Sequence, residues 1–144
     1  MAIGGAAVLA VPVVAAAVAL SGRGTPASAA ADGHVVRVVE RDFRIAVSPS
    51  HAAAGLVTFK VTNDGPDAHE MIVVRDNGKL PLRADGMTVN EDALARQTVG
   101  ALEPGEAGDV RHLRLRLRPG RYMLLCNMYG HYMAGMHSVV LVGR

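Results

Sequence analysis

The chain has 144 residues, enough for one ordinary domain with a core and too few for two, which excludes a multidomain enzyme. Aromatics make up 3% with no Trp, so an aromatic platform for stacking bases is excluded, and a formal net charge of +2 carries no bulk excess of the kind that drives polyanion binding. A single Cys excludes an internal disulfide and leaves three readings, a buried spectator, a reactive thiol or a metal ligand, beside an unusual supply of seven Met.

From Ala2 to Leu20 no charged residue occurs, and Ser21-Gly22-Arg23-Gly24-Thr25-Pro26 ends the apolar run with small, turn-forming residues. This pattern reads as an export segment, with Ala27-Ser28-Ala29 or Ala29-Ala30-Ala31 as the cleavage site. At about 19 residues the run is also long enough to stay as a membrane anchor. Residues 1–31 are therefore assigned to a signal peptide or N-terminal anchor and 32–144 to the folded domain. Both alternatives make the protein exported, periplasmic or held on the outer face of the cytoplasmic membrane. Without residues 1–29 only Arg23 is lost from the charge balance, which leaves 14 basic and 13 acidic side chains.

After Gly33 the apolar runs are short, rich in Val and Leu, and separated by Gly, Pro, Asn and Asp, as in an all-β domain. The predicted strands are 34–39, 43–47, 56–62, 70–75, 110–117, 122–126 and 137–142. Seven strands suggest a sandwich or barrel. Leu113, Leu115 and Leu117 alternate with Arg114, Arg116 and Arg118, which sends leucines inward and arginines into water. With the domain nearly neutral, the arginine row reads as a solvated strand face and not a nucleic-acid site. Asp76-Asn77-Gly78 marks a turn, and Pro119-Gly120 between two strands predicts a hairpin. Residues 79–109 are the least strand-like. Thr88-Val89-Asn90-Glu91 has the form of a capping box, predicting one short surface helix through Ala93-Leu94-Ala95-Arg96 and then a loop through Pro104-Gly105.

Chemistry concentrates in Cys126-Asn127-Met128-Tyr129-Gly130-His131-Tyr132-Met133-Ala134-Gly135-Met136, which offers a thiolate, an imidazole and thioethers within eleven residues. Gly130 and Gly135 allow the loop to fold back, and a further ligand can come from His69, after the turn-rich Asn63-Asp64-Gly65-Pro66-Asp67. Zinc seldom uses thioether, whereas thiolate, two imidazoles and a weak Met suit copper cycling between Cu(I) and Cu(II). A Cys126–His131 nucleophile and base pair is the enzymatic alternative, but no third group orients it. His34, His51, His112 and His137 read as surface residues, and Met71 and Met123 as core or site wall.

On these residues the chain resembles the cupredoxin, or blue copper, family over about residues 34–142. The resemblance rests on Asp42-Phe43, on Gly55-Leu56-Val57-Thr58-Phe59 leading to Asn63-Asp64-Gly65 and His69, on Leu117-Arg118-Pro119-Gly120-Arg121-Tyr122 running into Cys126, and on the closing C-x4-H-x4-M. The spacing is most similar to rusticyanin, auracyanin and sulfocyanin-like members. It implies a Greek-key β-sandwich with one type 1 copper per chain, ligated by His69, Cys126, His131 and axial Met136, the family spacing favouring Met136 over Met128 and Met133. It further implies one-electron transfer by a monomer to redox partner proteins that dock near His131, with Met128, Tyr129, Tyr132, Met133 and Ala134 as an apolar patch and Pro66 at its rim. Leu125 and Asn127 flank Cys126 where copper oxidases and nitrite reductases carry histidines, which argues against an enzyme. A copper trafficking or storage module that never passes electrons is the alternative. Glu70 stands where the family commonly has Asn or Ser. It is expected to point outward with only its backbone serving the site, which leaves Asn127 as the better hydrogen-bonding residue.

Overall fold

The computed structural model describes residues 34–144, so the export or anchor assignment lies outside the described residues. Nine strands and one helical turn follow His34: β1 His34–Arg41, β2 Arg44–Ser48, β3 His51–Ala53, β4 Gly55–Asn63, β5 His69–Arg75, α1 Glu91–Leu94, β6 Thr98–Gly105, β7 Val110–Leu117, β8 Gly120–Leu125 and β9 His137–Gly143. They form two mixed sheets of order β2-β1-β4-β7 and β3-β9-β8-β5-β6. The parallel pairs are β1 with β4 and β3 with β9. This is the expected all-β sandwich with a short helix in the 79–109 stretch.

The alternation along the strands explains the first sheet. Val36 and Val38 of β1, Val57, Phe59 and Val61 of β4 and Leu117 of β7 are buried, while Arg37, Lys60, Arg114 and Arg116 between them are exposed. The second sheet follows a different rule. In β5 the run Met71-Ile72-Val73-Val74 is buried on both faces, Met71 and Val73 in the main core and Ile72 and Val74 in a second cluster with Leu80, Val89, Leu94, Met123 and Leu125. Residues 76–97 thus cover the outer face of this sheet, and a strand covered on both sides needs no alternation.

Four expectations are corrected. Residues 98–105, read as loop, form β6 at the edge of the second sheet, where Gly100 and Pro104 hide its strand character and an edge tolerates a proline. The three-residue β3 was also missed. Pro119-Gly120 makes no hairpin: β7 pairs with β4 and β8 with β5 and β9, so the chain crosses between sheets there. Tyr122 Oη donates to Arg118 O at 2.9 Å across that crossing, and the Tyr122 ring is buried. The helix is capped by Asn90, whose side chain accepts from Ala93 N, and not by Thr88, which bonds Asp85 instead. Its buried Leu94 pins the turn to the sheet.

Candidate metal centre

Three segments meet at one end of the sandwich: the β1–β2 turn, the start of β5, and the loop between β8 and β9. Gly130 and Gly135 take φ of 81° and 103°, which lets that last loop turn back on itself as its sequence suggested. Cys126 N donates to Met136 O at 3.1 Å and Met136 N to His131 O at 3.0 Å, so the base of the loop is zipped shut. His69, Cys126 and His131 are thereby brought together, their ligand atoms all within 4.8 Å of one another. His131 Nδ1 lies 3.5 Å from Cys126 Sγ.

The environment suits a metal. His69 is fully buried, its Nε2 lies 3.2 Å from Asp42 Oδ1, and its Nδ1 has no hydrogen-bond partner. A carboxylate accepting the Nε2 proton leaves the lone pair on Nδ1, the unpartnered atom of a ring whose centroid lies 5.2 Å from that of His131. Burial, then the nearby His131, lowers the His69 pKa, which favours the neutral ring. Burial pushes the Cys126 thiol up, against backbone N–H groups of Met128 and Glu70 that pull it down. A buried thiol, a neutral imidazole with a bare nitrogen and a second imidazole in contact form a donor set that can hold a copper ion.

The fourth expected residue, Met136, is fully buried in the same core cluster as Cys126, while Met133 is 49% exposed. Met71 and Met123 are buried in the core, and His34, His51, His112 and His137 are all exposed, as expected. Tyr129 is 72% exposed, and Met133 and Ala134 are exposed beside it. Tyr132 instead packs half-buried against the second core cluster and the His137 ring.

Glu70 corrects the sequence reading. Its carboxylate turns inward and accepts from Asn127 N at 3.1 Å, which joins the His69 strand to the Cys126 loop. Burial, then Glu91, raises its pKa, against the Asn127 backbone hydrogen bond that lowers it. Asn127 is a hydrogen-bonding residue as expected, but its side chain reaches the insertion: Oδ1 accepts from Val89 N at 2.6 Å, and Nδ2 donates to Val89 O at 3.0 Å and Glu91 Oε1 at 2.7 Å.

Sequence reading missed Asp42 and Phe43 as site residues. Phe43 leaves the strand at φ 60°, sits in the β1–β2 turn and meets the His131 ring edge-on at 5.4 Å. The signal was an Asp-Phe pair between two apolar runs, legible as a turn only once Phe43 takes a left-handed backbone. Gly65 permits the close approach, since a Cβ there would lie 2.8 Å from Asp42 Oδ1 and 3.1 Å from His69 Nε2.

No protein-family model matches the chain, and no curated relative matches its sequence. Solved structures do match. Auracyanin B superposes with a TM-score of 0.58 at 20% identity over 77% of this chain and 89% of its own. Reduced auracyanin from Roseiflexus castenholzii gives 0.57 at 15%, over 78% and 98%. Rusticyanin from Thiobacillus ferrooxidans gives 0.56 at 16%, over 78% and 79%. The fold is that of a cupredoxin. Within this cupredoxin fold the His69–Cys126–His131 cluster lies at one end of the sandwich, and among the described residues no helix is long and apolar enough to cross a membrane.

Proposed function

We propose that the chain is an exported one-electron carrier with a single type 1 copper held by His69, Cys126 and His131 and weakly by Met136. The observation that carries this reading is the convergence of one ring nitrogen each from His69 and His131 and the buried Cys126 thiol to within 4.8 Å, with His69 Nδ1 left unpartnered. Copper bound there would supply a Cu(I)/Cu(II) couple.

The chain's own residues set the conditions for that couple. The zipped 126–136 loop and the Asp42 hydrogen bond fix both imidazoles before any ion arrives, so a change of oxidation state need not move them. Buried Cys126, Met136 and His69 exclude water. Copper uptake must displace the Cys126 proton, which burial holds in place, so uptake weakens as pH falls. His131 is only half-buried, exposed Phe43 meets its ring edge-on, and Tyr129 and Met133 are exposed in the same loop, which makes its ring the edge through which a redox partner protein would exchange electrons. With Leu125 and Asn127 beside Cys126, no histidine connects the centre to a second metal, in keeping with a carrier and not an enzyme.

Voltammetry of the copper-loaded chain tests this. A reversible one-electron wave is expected, shifted by Met136→Leu and unmoved by Met133→Leu. Binding of Cu(I) alone, with no reversible wave, would replace the carrier with a trafficking or storage module.

A further inference from the structure

The near-neutral balance of the domain conceals a separation of charge. On the outer face of the β2-β1-β4-β7 sheet, Arg37, Arg41, Arg44, Lys60, Arg114 and Arg116 are all exposed. No acidic residue occupies an outward position on these four strands; Glu40 of β1 is buried on the other face. Three acids flank these strands: Asp64 lies 3.5 Å from Arg41 in an exposed pair, Asp42 is turned to His69 at the metal end, and Asp109 accepts from Glu106 N in the loop before β7. Glu70, Asp76, Asp85, Glu91, Asp92 and Glu103 belong to the other sheet and the insertion that covers it.

The register makes this more than a solvated strand. Arg37 stands directly opposite Lys60, and Arg41 directly opposite Arg44. Like charges facing across a ladder are destabilising, so the sheet carries two unfavourable pairs that its own fold does not need. Exposed Val35 and Val110 and half-buried Val39 and Leu56 alternate with the cations on the same face. Between Arg41 and Arg44 a shallow cleft of about 320 Å³ is lined by Val39, Ala46 and Asp64.

We propose that this face docks on an anionic lipid surface. A four-stranded sheet is broad and open, each Lys or Arg next to such a surface adds attraction, and long cationic side chains with valines between them suit a headgroup layer. The chain outside the described residues points the same way. Its apolar stretch, Ala2–Leu20, is followed by residues 21–33, which span at most roughly 45 Å before entering the fold at His34, the first residue of β1 in this same sheet. The metal cluster lies at the opposite end of β1, beyond Arg41, so docking by the face leaves that end open. Bases are not the favoured occupant, because Phe59 of this sheet is buried on the inner face and none of its outward positions carries a Phe, Tyr or Trp.

The test uses the full chain with vesicles of phosphatidylcholine, with and without phosphatidylglycerol. The apolar stretch contributes to both, so the ratio of the two partition constants isolates charge. The ratio should exceed one, fall with added salt, and drop on the order of a hundredfold in the triple variant Arg37→Gln/Lys60→Gln/Arg114→Gln. Lys79→Gln/Arg83→Gln/Arg96→Gln removes the same charge elsewhere and should keep most of the ratio. The face variant should also melt no lower than the parent, since it relieves Arg37 against Lys60. A ratio of one, or equal losses in both variants, overturns the proposal. So does tight binding of inorganic polyphosphate with a vesicle ratio of one, which would assign the face to a soluble polyanion.

Discussion

Asp42 Oδ1 lies 3.2 Å from Nε2 of the fully buried His69, although 27 residues separate them in the chain. The contact leaves the other ring nitrogen bare and gives the imidazole a negatively charged neighbour. A carboxylate on the outer nitrogen makes the inner one more basic and favours the more highly charged metal. Asp42→Asn keeps the shape and the hydrogen bond but removes the charge. The expected result is a rise in reduction potential of about 59 mV, for a tenfold loss of preference for Cu(II), measured by voltammetry. An unchanged potential would reduce Asp42 to a structural turn residue.

Gly65 is expected to be intolerant of any side chain. Its added Cβ would lie 3.1 Å from the backbone N of Asp42 as well as against the Asp42 carboxylate and the His69 ring. Gly65→Ala should lower stability by about 1–3 kcal/mol and weaken copper binding together, measured by thermal melts of the apoprotein and by competition with a chelator. A variant that binds copper like the parent would show that the turn can move aside.

Asn127 fastens the insertion to the metal loop through three side-chain hydrogen bonds, two of them to Val89. Asn127→Leu should destabilise the protein by roughly 2–4 kcal/mol, because the Val89 N–H and C=O are left without their partner. Amide hydrogen exchange should rise first around Val89 and Glu91. Uniform exchange across the domain would mean that this contact does not hold the insertion separately.

How much of this was legible in the sequence divides by range. Seven strands and the Cys126–His131 loop followed from apolar runs and donor spacing, which are local, while His69 was chosen among the other histidines through the resemblance to cupredoxins. Asp42, Phe43 and the inward turn of Glu70 were not legible, because each depends on which segment folds beside it: Asp42 meets His69 only when the β1–β2 turn and β5 share one end of the sandwich. Edge strand β6 was hidden by Gly100, Pro104 and Gly105, whose composition is that of a loop until β5 pairs with it. The hairpin reading failed for a related reason, since Pro119-Gly120 specifies a chain reversal but not the sheet in which the next strand lies.

Glu40 should make stability depend on pH. It is fully buried and paired with Arg111, its second oxygen has no partner, and burial outweighs the arginine to push its carboxyl from 4.5 up to about 7. A carboxyl raised on folding favours the protonated state. Its contribution is therefore present in full below pH 4.5 and lost as pH rises to about 7, a change of up to about 3 kcal/mol. Denaturant melts across that window should show a slope in the parent that is reduced in Glu40→Gln. Parallel curves would place the ionised, arginine-paired form in the native state at all these pH values.

The central claim is that Cys126 is a copper thiolate in a type 1 centre. Visible absorption and EPR spectra of the full chain with one equivalent of Cu(II), recorded beside Cys126→Ala, test it most directly. The expected result is an intense thiolate-to-copper band with narrow parallel hyperfine splitting in the parent and neither in the variant. A colourless parent, or a spectrum that survives loss of Cys126, would contradict it.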